Sequence, residues 1–99
     1  MAVTLTQIPV SNTCNYRVAL MLGGNILASI DAGEATVLSN LVFDQIGLYN
    51  PPNPPVIRTQ NPNVPITVGV GSVAYVSCSG GTTFHYAAPN GPDNTVTFT

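Results

Sequence analysis

Apolar residues recur at every second position in short runs along the chain, and each run ends in turn-forming residues. Val3 and Leu5 alternate with Thr4 and Thr6, while Val18, Leu20 and Leu22 alternate with Arg17, Ala19 and Met21. A turn at Gly23-Gly24-Asn25 leads into Ile26 to Ile30, and Asp31-Ala32-Gly33-Glu34 forms the next turn. Later runs cover Val64 to Val76, Thr82 to Ala87 and Thr95 to Thr99, parted by Ser79-Gly80-Gly81 and Asn90-Gly91-Pro92-Asp93. A period of two punctuated by turns predicts strands. In 99 residues it predicts one all-β domain, a small antiparallel β-sandwich of jelly-roll-like form. Pro9 cannot donate to a ladder, so the first run is expected at an edge or a strand end. Ser39 to Gly47 is ambiguous. Leu41, Val42, Gln45 and Ile46 form a stripe that suits one short helical turn capped by Ser39, or equally a strand.

Facing residues follow from the turn lengths. A three-residue loop at Gly23-Gly24-Asn25 pairs Leu22 with Ile26, Leu20 with Ala28 and Val18 with Ile30 on one apolar face. It also sets Arg17 opposite Asp31, an exposed ion pair. A slip of one residue would exchange the faces, so the cleaner separation is preferred. The same reasoning at Ser79-Gly80-Gly81 pairs Val76 with Phe84 and Ala74 with Tyr86, and puts Tyr75 opposite His85 on the outer face.

Residues 50–65 read NPPNPPVIRTQNPNVP, with six prolines and four asparagines. This predicts a stiff polyproline-like connection broken by one short strand, Val56 to Thr59.

Composition narrows the partners. Only six residues are charged and none is lysine: Arg17 and Arg58 oppose Asp31, Glu34, Asp44 and Asp93. A net charge of −2 cannot neutralise a run of phosphates, which excludes a nucleic-acid or anionic-membrane surface. The low charge does not imply membrane insertion, because no uninterrupted apolar span of about 20 residues occurs. The first ten residues, MAVTLTQIPV, lack the basic and apolar regions of a signal peptide.

Candidate chemistry is sparse. Cys14 and Cys78 share the core-facing parity of their strands, so both are expected to be buried. An internal disulfide, inert buried thiols and links between subunits all stay open. His85 is the only histidine, and no metal spacing or nucleophile motif accompanies it. The glycines lack the lysine and helix of a phosphate loop. No catalytic, cofactor or metal residues are therefore assigned, and no enzymatic activity is expected.

Two readings of function remain. The first is a structural subunit (appendage, filament, capsid-like or array protein) that assembles with other copies of itself. Uncharged, Thr-rich terminal runs without lysine leave sheet edges unguarded. The expected assembly edges are Val3, Thr4, Leu5 and Thr6, and Thr95, Val96, Thr97 and Phe98. The second is a lectin-like or adhesin-like module whose carbohydrate platform is Tyr75 and His85, with Tyr49 and Asn50 as a second platform. Either reading places the protein outside the cell or on a cell or particle surface.

Overall fold

Ten strands and no helix occupy the residues that the computed structural model describes, 2–50 and 54–99. They are β1 (Val3–Asn12), β2 (Arg17–Leu22), β3 (Asn25–Ile30), β4 (Ala35–Phe43), β5 (Gln45–Tyr49), β6 (Val56–Thr59), β7 (Ile66–Val68), β8 (Val73–Ser77), β9 (Thr82–Ala87) and β10 (Asn94–Phe98). One sheet runs β10-β9-β8-β1-β4, with β7 also beside β1; the other runs β3-β2-β5-β6. The two sheets pack as a β-sandwich. Between them lie Phe43, Phe84 and Phe98, with Phe84 edge-on to Phe43 at 5.2 Å and Phe98 stacked on it at 5.7 Å. Aliphatic side chains from both sheets, among them Leu5, Val18, Leu20 and Ile46, complete the core.

The second hairpin has the expected register: Val76 faces Phe84, Ala74 faces Tyr86 and Tyr75 faces His85. In the first, Val18–Ile30 and Leu20–Ala28 pair as expected, but Leu22 faces Asn25 and Met21 faces Ile26. A bulge at Leu27 reconciles a two-residue glycine turn at the tip with the three-residue register below it.

Three expectations are corrected. β1 is not an edge strand. It is paired with β4 on one side and with β7 and β8 on the other. Pro9 is accommodated because it lies between the residues paired with β7 (Val3–Leu5) and those paired with β8 (Val10–Asn12), where that ladder is interrupted. The β1 pairings to β7 and β8 are parallel, so the larger sheet is mixed rather than wholly antiparallel. Residues 39–47 form no helical turn. They complete β4, turn a corner at Asp44 and begin β5 in the other sheet.

The run Val64 to Val76 is divided between β7 and β8, with a turn closed by Ser72 N–H donating to the Gly69 carbonyl. Val56 to Thr59 is a strand as expected; residues 51–53 of the proline-rich stretch lie outside the described residues.

Candidate functional site

Alternation along the strands sorts the larger sheet into an inner and an outer face. Val10, Ala74, Val76, Phe84 and Val96 are buried. The residues between them therefore face outwards, and the ladders align one such row across five strands: Thr95, His85, Tyr75, Ser11 and Ala35. At its centre the Tyr75 and His85 rings are stacked 4.4 Å apart with planes 3° from parallel.

His85 is held on every side. Thr83 Oγ1 lies 2.8 Å from its Nε2, and Asp93 Oδ2 and Thr95 Oγ1 lie 3.3 and 3.4 Å from its Nδ1. Hydroxyl, imidazole and carboxylate stand here in the order of a nucleophile relay. The sequence alone does not single out this group, because Asp93 reaches His85 across the β9–β10 turn. The contact is long against the 2.7–2.9 Å of a strong charge-assisted hydrogen bond. The Asp93 side chain is also 54% exposed, so water competes for it. The arrangement orients the imidazole ring, and the ring in turn props Tyr75 upright.

Stacking alters the expected platform. Tyr75 and His85 do not offer two free faces, since each covers one face of the other. The second expected pair lies elsewhere: Tyr49 ends β5 in the smaller sheet, with the Arg17 guanidinium 4.3 Å above its ring, and Asn50 is exposed beyond it. Tyr75/His85 and Tyr49/Asn50 belong to different sheets and form no common site. Arg17 also departs from expectation. Among the described residues the only side-chain contact between a basic and an acidic group is His85–Asp93, and Arg17 caps Tyr49 rather than pairing with Asp31. Its partner comes from β5, which the β2–β3 hairpin alone does not reveal.

Cys14 and Cys78 are joined as an internal disulfide spanning a sequence separation of 64, and Cys14 is buried while Cys78 is half-buried. The bond ties the β1–β2 connection to the end of β8 and lines a cleft of about 300 Å³ with Tyr16, Ser77 and Ser79. In the chain-entropy model a closed loop of this length contributes roughly 4 kcal/mol.

Of the expected assembly edges, Val3 to Thr6 lie within a strand paired on both sides, and this placement corrects that expectation. Thr95 to Phe98 belong to β10, an outer strand, but its end is partly covered by the chain itself through a Gln60–Phe98 bridge. On the opposite side β3 and β4 end their sheets, and among the described residues neither pairs with a further strand. No protein-family model, curated protein or solved structure matches the chain.

Proposed function

We propose that this protein is a non-enzymatic structural subunit that assembles with copies of itself by strand addition along β3 and β4. The observation that carries this reading is the pair of adjacent strand edges with no charged residue among their 6 and 9 residues. Strand edges in sandwiches are ordinarily blunted by lysines, inward charges or prolines. Here the side chains beside the free backbone are apolar and in water: Ile26 is 52% exposed, Leu27 47% and Val37 62%. Asn40, at φ 52°, interrupts the β4 edge and leaves Ala35 to Ser39 as its longer regular stretch.

Pairing such an edge desolvates no charge. Each net backbone hydrogen bond contributes about 1 kcal/mol, and buried apolar area adds about 25 cal/mol per Å². Five paired residues and their side chains can offset an association cost of several kcal/mol. The internal disulfide supports an extracellular or particle-surface setting, where such bonds persist.

Sedimentation and negative-stain microscopy of the purified chain test the reading. Native protein at tens of micromolar is expected to form large assemblies. The double variant Leu27→Lys, Val37→Lys is expected to keep its circular dichroism and sediment as a 10.3 kDa monomer. A native protein that is already monomeric overturns the proposal.

A further inference from the structure

The five-strand row on the outer face of the larger sheet contains a gap of particular shape. Neighbouring strands lie about 4.7–4.9 Å apart, and the stacked His85 and Tyr75 rings, 4.4 Å apart, stand like plates at that spacing. The next position in the row is Ser11, and beyond it Ala35 on the edge strand β4. Neither side chain is long enough to form a third plate. The face of Tyr75 turned away from His85 therefore looks over two small residues to the rim of the sheet. We propose that this gap binds an uncharged pyranose ring, which stacks on Tyr75 above Ser11.

The chemistry of the surroundings selects that ligand class. On one flank lie Pro9 and Val73, both exposed apolar residues, each one position before the paired Val10 and Ala74. On the other lies half-buried Ser77, two residues along β8 from Tyr75; the Ser77 Oγ accepts a long hydrogen bond from Ser79 N–H at 3.4 Å. Half-buried Ser11 pairs with Tyr75 in the row itself. A pyranose matches this split, having a C–H face for an aromatic ring and hydroxyls around its rim; sites of this kind pair an apolar surface with a few placed polar groups. Charge argues against acidic sugars. The chain's two cations, Arg17 on β2 and Arg58 on β6, both belong to the other sheet. Among the described residues no guanidinium or ammonium borders the row to meet a carboxylate. His85 acts as a positioning residue: fixed by Thr83, Asp93 and Thr95, it fills one face of Tyr75 and sets the angle of the other.

Saturation-transfer difference spectra recorded on the sugar report binding whether the protein is monomeric or assembled, so failure of the assembly reading leaves this test intact. The probes are methyl β-D-glucopyranoside, methyl β-D-galactopyranoside and the methyl glycoside of N-acetylglucosamine, with glucuronate as the charged control. At least one neutral probe is expected to bind with Kd in the millimolar range, and glucuronate about tenfold more weakly or not at all. Ser11→Leu, which fills the gap and leaves Tyr75 in place, should weaken binding about tenfold or more. Tyr75→Phe should retain it. If Ser11→Leu does not fold, Tyr75→Ala supplies the same loss. Absence of transfer to all three neutral probes overturns the proposal. So does equal binding of glucuronate, or equal binding to the variant that removes the gap.

Discussion

The two sides of the sandwich are finished in opposite ways. On one side β6 and β10, from different sheets, are tied by the segment between β6 and β7. Gln60 bridges Phe98, Asn61 N–H donates to the Thr97 carbonyl at 2.9 Å, and Thr99 N–H donates to the Thr59 carbonyl at 2.8 Å. Pro54 and Pro55 precede β6, Pro62 and Pro65 lie within that segment, and together they limit what more can pair there. On the other side β3 and β4 are joined only at one end, where the Asn12 side chain donates to the Ile30 and Tyr16 carbonyls at 2.9 Å and its backbone holds Gly33 and Glu34. Beyond that end β3 and β4 do not pair, among the described residues. One side uses its own chain as a guard; the other leaves its backbone donors and acceptors to water or to another molecule. Low charge alone does not distinguish the sides, since both are nearly uncharged. The difference lies in where the proline-rich connection runs.

The largest effect should come from the closed side. Phe98 is 2% exposed, stacks on Phe43 and carries the bridge to Gln60. Phe98→Ala removes an aromatic side chain from the core and slackens the tie, so a loss of about 3–5 kcal/mol in urea unfolding is expected. Assembly should persist wherever the variant is folded. A loss below about 1 kcal/mol would mean that the closed side is not part of the cooperative core.

Asn12 makes the corresponding test at the anchored end of the open side. It is 1% exposed, and its side chain makes three hydrogen bonds: two donated, and one accepted from Cys14 N–H at 2.9 Å. Asn12→Ala strands buried backbone groups, at an expected cost of about 2–3 kcal/mol. Amide exchange should quicken first around residues 30–34, which reads the anchor separately from global unfolding. Unchanged protection there would show that the turn holds itself.

Much of this was legible locally. The two glycine turns specify their hairpins because side-chain parity penalises any slip, and parity alone placed Tyr75 beside His85 and buried Cys14. The strand order was not legible. A strand with one solvent face reads VTLT whether it lies at an edge or at the centre of a sheet, and β1 acquires its parallel neighbours from residues 66–76, far along the chain. The apparent helical stripe at 39–47 arises from the corner at Asp44. One residue between two strands shifts parity: Ile46 is the only fully buried member of that stripe, Leu41 and Gln45 are half-buried, Val42 is exposed, and the other buried residue of the corner, Phe43, lies off the stripe. Arg17 misled for a related reason, since its ring partner lies on the far side of its strand.

The smallest expected effect is the sharpest test of the comparison. Ile57 on β6 is 47% exposed, equal to Leu27 on β3, and both lie on outer strands of the same sheet. If exposed apolar area alone drove assembly, Ile57→Lys and Leu27→Lys would have equal consequences. They differ in the backbone beside them: β6 is short, and its end is already engaged with β10 through Thr59 and Gln60, whereas among the described residues β3 pairs with no strand on its outer side and is held there only at Ile30, by the Asn12 side chain. A lysine at position 57 can lay its stem along the sheet and keep its ammonium in water, so stability should change by no more than about 0.5 kcal/mol. Assemblies formed by Ile57→Lys should match the native ones in sedimentation, while Leu27→Lys weakens them. Equal disruption by the two would mean that β6 of one copy meets β3 of the next in a head-to-tail sheet, and the closed side would then be an interface as well.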